Sequence, residues 1–126
     1  MGCILVIEDE ADIRELVHDV LEAEGYSVVT IARSDEVERV VGRVHPDLVL
    51  TNVMLHGKSG IDIALDLRAQ GYKETPFIAM SASTTMARFA QQSGLFQATL
   101  DKPFDLERLL DLVTELVPVV PTDTRV

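Results

Sequence analysis

The stretch that decides the fold is an apolar run that ends in a polar loop, Pro46-Asp47-Leu48-Val49-Leu50-Thr51-Asn52-Val53-Met54-Leu55. A short continuous apolar run of this kind predicts a strand, here residues 48–51, that is covered on both faces. Two further apolar runs end in the same way: Ile4-Leu5-Val6-Ile7 leads into Glu8-Asp9, and Ala98-Thr99-Leu100 leads through Asp101 into Lys102-Pro103. The three predicted strands therefore end in an amide, an acidic pair and a lysine.

Apolar runs alternate with helical patterns along the whole chain. Strands are predicted at residues 3–7, 26–31, 48–51, 77–80 and 96–100, and helices around residues 13–21, 37–44, 63–67, 86–92 and 106–117. Ser34 is a candidate cap for the second helix. The helix over residues 86–92 has the poorest apolar face and is expected to be the most mobile. Five βα units in succession predict an α/β fold, a doubly wound parallel sheet with helices on both faces in three layers.

Length and composition predict one domain with its own core over residues 1–117, followed at residues 118–126 by a flexible tail or the start of a linker. A net charge of −10 argues against binding to the phosphate backbone of nucleic acids. No apolar run approaches the roughly 20 residues that a membrane helix needs. The first residues lead directly into a predicted strand, so no signal peptide is expected. The lone Cys3, with apolar neighbours, predicts a buried thiol and a reducing, cytoplasmic setting.

Polar residues at four predicted strand ends should meet, because ligands of a doubly wound sheet bind beyond the carboxyl ends of its strands. These residues are Glu8 and Asp9 after the first strand, Asn52 after the third, Ser81 after the fourth and Lys102 after the fifth. Two adjacent carboxylates suit a hard divalent cation. A cation and an ammonium group together would offset charge on a transferred phosphoryl group. The pattern predicts a cation and phosphoryl site with an amide at its centre.

Each of these residues also has an ordinary structural interpretation. For Glu10 and Asp12, we prefer a favourable interaction with the positive end of the following helix. Ser81 suits a turn as well as it suits a phosphoryl contact. The three histidines share no metal-ligand spacing, and no glycine-rich phosphate loop is present.

These features resemble a receiver domain of a two-component response regulator over about residues 3–117. Four motifs carry the resemblance: Leu5-Val6-Ile7-Glu8-Asp9-Glu10, the residues 46–55 with Gly60, Ile78-Ala79-Met80-Ser81-Ala82, and Leu100-Asp101-Lys102-Pro103-Phe104. Each motif alone is weak, but four in order at the expected strand ends are specific. The resemblance implies a five-stranded flavodoxin-like fold and a non-enzymatic role in phosphorelay signalling.

The resemblance also implies particular ligands and partners. A Mg²⁺ ion would be held by Glu8, Asp9, residue 52 and the Met54 backbone carbonyl. Ser81 and Lys102 would contact the phosphoryl group, and the bond before Pro103 would often be cis. The phosphoryl donor would be a sensor histidine kinase or a histidine phosphotransferase. A downstream effector would bind the face of helix four, strand five and helix five, with a homodimer as a further possibility.

Three residues depart from the family pattern. Asn52 occupies the position of the phosphorylated aspartate, and an amide oxygen is too poor a nucleophile to give a stable acyl phosphate. The amide also carries no negative charge, so magnesium binding should be weakened. Thr99 replaces a tyrosine or phenylalanine that turns inward on activation, which puts aromatic-coupled switching in doubt. His56 replaces a proline and should change only the loop.

Three functions remain open from the sequence. Apart from Asn52, the cation site is intact, which favours a receiver whose aspartate was replaced by asparagine in the laboratory. Thr99 and His56 favour a natural pseudo-receiver that binds a partner without phosphorylation. A small flavodoxin-like enzyme or flavin carrier could use the same crevice, but the chain has no tryptophan and only two tyrosines to stack on a flavin. The cognate kinase, the signal and any effector domain leave no trace in these residues.

Overall fold

The structure is a computed structural model that describes residues 2–55 and 57–117. The strands are β1 (Cys3–Ile7), β2 (Ser27–Ile31), β3 (Leu48–Asn52), β4 (Phe77–Ser81) and β5 (Ala98–Asp101). The helices are α1 (Ala11–Ala23), α2 (Val37–Val44), α3 (Gly60–Ala69), α4 (Thr84–Ser93) and α5 (Leu106–Leu116), with a short 3₁₀ turn at Ser34–Glu36 before α2. The predicted order of five βα units is therefore confirmed. None of the described helices is long and apolar enough to cross a membrane.

All five strands are parallel and lie in the order β2-β1-β3-β4-β5. The order reverses between β1 and β3, where Ile7 pairs with Thr51. On the other side of β3, Asn52 pairs with Met80, and Ser81 pairs in turn with Asp101. This is the doubly wound, flavodoxin-like arrangement that the sequence predicts, and its switch point lies beside Asn52.

Two apolar layers hold the helices against the sheet. One face of the sheet packs against α1 and α5, with residues such as Val17, Leu21 and Leu109 fully buried. The other face packs against α2 and α3. A smaller cluster forms where α4 covers the sheet, and α4 buries only Ala87 and Ala90. Its mobility stays a prediction, supported by this shallow packing.

Several details differ from the sequence-based expectations. β5 begins at Ala98 rather than Phe96, because Phe96 turns its ring edge-on to Phe77 and Gln97 makes the first bonds to β4. Ser34 does not cap α2, since its hydroxyl accepts a hydrogen bond from the Lys58 amide. Cys3 is only partly buried rather than buried. The expectations for His56 and for residues 118–126 lie outside the described residues.

Gly60, the first residue of α3, lies against the backbone of β3. A Cβ atom at this position would lie 2.4 Å from the Asn52 carbonyl oxygen and 3.0 Å from the Val53 Cα atom. Gly60→Ala is therefore expected to lower the free energy of unfolding by about 2 kcal/mol or more, because backbone cannot yield as a side chain does. Urea denaturation measures the change.

Gly42, in α2, provides the matched control, since a Cβ atom added there would meet nothing within 4 Å. Gly42→Ala is expected to raise the free energy of unfolding by about 0.5–1 kcal/mol through helix propensity alone. Equal effects of the two substitutions would contradict the close packing of Gly60.

Candidate functional site

The sheet brings the predicted site residues to its carboxyl edge. Glu8 and Asp9 directly follow β1, and Asn52 is the last residue of β3. Ser81 ends β4, and its carbonyl oxygen accepts a hydrogen bond from the Lys102 amide at 2.8 Å. Glu8, Asn52 and Ser81 are all buried, with exposed fractions of 0%, 5% and 1%. The structure therefore places polar side chains in a water-poor setting, where electrostatic contacts are strong.

The central contact is an ion pair between Lys102 and Glu8. The Lys102 Nζ atom lies 2.7 Å from Glu8 Oε1, and the two side chains are 8% and 0% exposed. A second acid, Glu10, lies 3.5 Å from the same ammonium group. Burial raises the pKa of Glu8, and the hydrogen bonds from Lys102 and the Glu10 amide oppose that rise. The pair allows a carboxylate to remain in the interior, which would be costly without a partner.

Asn52 joins the two carboxylates. Its Nδ2 atom lies 3.2 Å from Glu8 Oε2 and 3.4 Å from Asp9 Oδ1. The backbone amide of Glu10 donates to the same Glu8 oxygen at 3.1 Å. Both oxygens of Glu8 are therefore hydrogen-bonded, one to Lys102 and the other to Asn52 and Glu10.

The hydroxyl groups of Ser81 and Thr99 both take part in hydrogen bonds within the protein. The Ser81 hydroxyl donates to the Ser83 carbonyl at 2.9 Å and accepts from the Ser83 amide at 3.0 Å, so it stabilises the turn that leads to α4. The Thr99 hydroxyl accepts from the Gln91 side-chain amide at 3.0 Å, which links β5 to α4. The turn role expected for Ser81 is present, and its phosphoryl role stays a prediction.

Two contributors to the site carry no signal in the sequence. The Arg14 guanidinium donates to the Glu8 carbonyl at 3.0 Å and so anchors the acidic pair to α1. The Glu10 amide, which donates to Glu8 Oε2, is the second, since the sequence indicates only a helix-end effect of the Glu10 charge. No spacing rule marks Arg14, because its contact depends on how α1 packs on β1. The cis peptide bond before Pro103, which the resemblance implies, is present.

The donor set fits a divalent cation only in part. Among residues 2–55 and 57–117, no three His, Cys, Asp or Glu side chains come together as a metal site. Two carboxylates face a common point, and the third group there is the Asn52 amide, which presents its nitrogen to both. Carboxylate oxygens are the ligands that Mg²⁺ prefers, so Glu8 and Asp9 are the residues that would hold it. The Met54 side chain is 57% exposed in the adjoining loop.

Comparison with known proteins identifies the family. Residues 4–114 match the response regulator receiver domain, and the chain belongs to this family. It is 36% identical over 81 residues to the DNA-binding response regulator MtrA of Mycobacterium tuberculosis, covering 64% of this chain and 35% of MtrA. It is 39% identical over 70 residues to the transcriptional regulatory protein RstA of Escherichia coli, covering 56% of this chain and 29% of RstA.

A solved structure shows the same fold. The response regulator TrrA of Thermotoga maritima, crystallised in complex with Mg²⁺ and BeF, has a TM-score of 0.83 and 29% identity, and the match covers 93% of this chain and all of TrrA. The chain spans about a third of the length of the curated relatives it matches, whereas it spans all of TrrA. Receiver domains are generally signalling proteins that interact with histidine kinases and effector domains, and they bind Mg²⁺. This membership leaves the flavin-carrier alternative without support.

Proposed function

We propose that this chain is a receiver domain that forms no aspartyl phosphate, because Asn52 occupies the phospho-acceptor position. The observation that carries the proposal is the position of Asn52 at the switch point, in contact with both Glu8 and Asp9, while Lys102 pairs with the other oxygen of Glu8. An aspartate there would be a nucleophile in a site built to offset phosphoryl charge, whereas a carboxamide is not. In such a site, Lys102 and Ser81 are the phosphoryl contacts.

The test is intact-mass spectrometry after treatment with acetyl phosphate and Mg²⁺. We expect no phosphoryl adduct on the chain with Asn52. An adduct that is labile to hydroxylamine, as acyl phosphates are, would refute the proposal. Whether the asparagine is natural or was introduced by mutagenesis does not alter this expectation, and the native codon at position 52 separates the two origins.

Magnesium is expected to bind weakly at Glu8 and Asp9. The ion would supply a positive charge beside the phosphoryl position, and one formal negative charge is missing from the site because residue 52 is an amide. An NMR titration should shift the amide signals of residues 8–9 and 52–54, and Asp9→Asn should abolish these shifts. Asp12→Asn, in the first turn of α1, is the control that should leave them intact. Shifts confined to other parts of the chain would contradict the assignment.

We propose that partners dock on the face formed by α4, β5 and α5, which the family resemblance implies for effectors and homodimers. This face holds a cavity of about 460 Å³ whose lining includes Gln91, Phe96, Thr99 and Arg108. The Phe89 ring on α4 is 56% exposed. Exposed aromatic and arginine side chains are common anchors of protein interfaces. The sensor kinase or phosphotransferase would meet the carboxyl edge of the sheet, where Asn52 lies.

Arg108→Ala is expected to weaken self-association by about tenfold, because it removes a charged anchor from this face. Sedimentation velocity over a concentration series measures the change. Arg39→Ala on α2, an exposed arginine remote from this face, is the matched control and should have no effect. A loss of association only in the control would place the interface elsewhere.

The proposed domain comprises residues 1–117, with residues 118–126 as a tail or linker. Residues 2–55 and 57–117 support its extent, since Val117 is buried against the α1 and α5 layer. Limited proteolysis of the full chain should leave a fragment that ends close to Val117. Cleavage within α5 before cleavage of the tail would contradict these boundaries.

A further inference from the structure

We infer that the Asn52 carboxamide takes the place of the divalent cation, so that the site is closed by an internal hydrogen-bond donor and stable without metal. The inference rests on the proposed function only in taking residue 52 as the acceptor position. The inference concerns the regulation of the site. A receiver with asparagine at position 52 would keep its site residues in the same arrangement with or without metal and phosphate.

The acidic pair needs a positive or donating partner. Glu8 is fully buried, and Asp9 follows it directly on the same strand end. Both carboxylates lie within 3.4 Å of the same Asn52 nitrogen, and two like charges that close repel each other, more strongly where water is excluded. Lys102 pairs with Glu8 Oε1 at 2.7 Å, whereas the Glu8 oxygen nearer to Asn52 is Oε2.

The Asn52 amide nitrogen fills that role. Its distances of 3.2 Å to Glu8 Oε2 and 3.4 Å to Asp9 Oδ1 allow each of its two protons to point at a different carboxylate. The orientation of an asparagine side chain follows from its partners, and the reverse orientation would direct the amide oxygen at two negative groups. The surroundings therefore admit only the arrangement in which the amide donates.

An aspartate could not do the same. An ionised carboxylate only accepts hydrogen bonds, so an aspartate at position 52 would add a third negative charge to the pair, and a bound cation would stabilise it. With asparagine, Mg²⁺ must instead displace an amide that already bridges both ligands. The side chain at position 52 thus determines both the nucleophile and the need for metal.

Thermal unfolding of three proteins tests this inference, each in EDTA and in millimolar Mg²⁺. In EDTA the chain with Asn52 should have the highest Tm, and both Asn52→Leu and Asn52→Asp should melt roughly 5 °C or more below it. Mg²⁺ should raise the Tm of Asn52→Asp by several degrees, through linkage, and should move that of the other two by about 1 °C or less. Equal melting of the chain and Asn52→Leu in EDTA would overturn the inference, as would equal Mg²⁺ stabilisation of the chain and Asn52→Asp.

Gln70→Leu is the matched control. The Gln70 amide also donates to a carboxylate, Glu38, at 3.4 Å, but on the exposed surface, so its loss should shift Tm by about 1 °C or less. If Asn52→Leu does not fold, hydrogen exchange of the side-chain NH₂ groups in the unsubstituted chain tests the inference instead. Asn52 is the only asparagine in the chain, and slow exchange of its NH₂ relative to that of Gln70 supports the bridge, whereas equal exchange overturns it. Failure of the phosphorylation proposal would appear separately, as an adduct in the mass spectrum.

Discussion

Asn52→Asp is expected to convert this chain from a protein that acetyl phosphate leaves unmodified into one that carries a single phosphoryl group. The substitution supplies the carboxylate nucleophile at the switch point, beside Glu8 and Asp9 as cation ligands, and Lys102 is paired to Glu8 in the same site. Lys102 would then offset charge on the transferring group, and Ser81 would bond one of its oxygens. Intact-mass spectrometry in acetyl phosphate and Mg²⁺ is the measurement.

Two variants make this result specific. Asn52→Ala, which has no carboxylate, should remain unmodified under the same conditions. Lys102→Met in the Asn52→Asp background should slow the reaction by at least about tenfold, since it removes the ammonium group from the site. An Asn52→Asp protein that folds, binds Mg²⁺ and stays unmodified would refute the assignment. Because Thr99 has no aromatic ring to turn inward, we expect phosphorylation to perturb the α4–β5–α5 face only slightly in NMR spectra.

Arg68→Met is expected to lower the free energy of unfolding by roughly 2–4 kcal/mol. The Arg68 guanidinium, on α3, donates to the carbonyl oxygens of Tyr72, Lys73 and Thr75 at 2.6–3.0 Å and to that of Leu95 at 3.0 Å. Its central carbon also lies 4.3 Å from the centre of the Phe77 ring. Burial lowers the pKa of this group, but a guanidinium stays charged in proteins. Methionine fills similar space and leaves these carbonyl oxygens without their donor.

The control for Arg68 is Arg39→Met, since the Arg39 side chain is exposed and makes a surface ion pair with Glu36 at 3.9 Å. Its loss should change stability by about 0.5 kcal/mol or less. Arg68→Lys should recover only part of the stability, because one ammonium group cannot reach four carbonyl oxygens on two loops. Urea denaturation distinguishes these outcomes, and an Arg68→Met protein as stable as Arg39→Met would contradict the role of the guanidinium.

Most of the fold could be predicted because the spacing of apolar residues along the sequence indicates which faces of the strands and helices are buried. The continuous apolar runs of β1, β3 and β4 are buried on both faces, and the helical stripe of α5 packs where its spacing indicates. The stripe of α1 packs through Ile13, Val17 and Leu21, whereas Leu16, which has the same helical spacing, is 47% exposed. The start of β5 could not be predicted in this way. Phe96 is apolar like a strand residue, and only its packing against Phe77 places it in the preceding connection.

The site could be predicted as a set of residues but not as a network. Strand ends placed Glu8, Asp9, Asn52 and Lys102 together, since parallel strands share one carboxyl edge. The pairing of Lys102 with Glu8 depends on side-chain reach and burial, which no spacing rule contains. The donor role of Asn52 depends likewise on the positions of both carboxylates, and the Arg14 contact on the packing of α1.

The close approach of Gly60 to the backbone of Asn52 means that backbone packing fixes the shape of the site, whereas the side chain at position 52 fixes its chemistry. The Gly60 amide donates to the Val53 carbonyl at 2.8 Å, and the Thr51 hydroxyl to the Asn52 carbonyl at 3.0 Å, so main-chain groups hold the path of the loop. The side chain at position 52 can therefore change without moving the loop. Asparagine and aspartate codons differ by one base, so a single point mutation can remove or return the acceptor with no compensating change. Phosphate-dependent and phosphate-independent descendants of such a gene would be one mutational step apart.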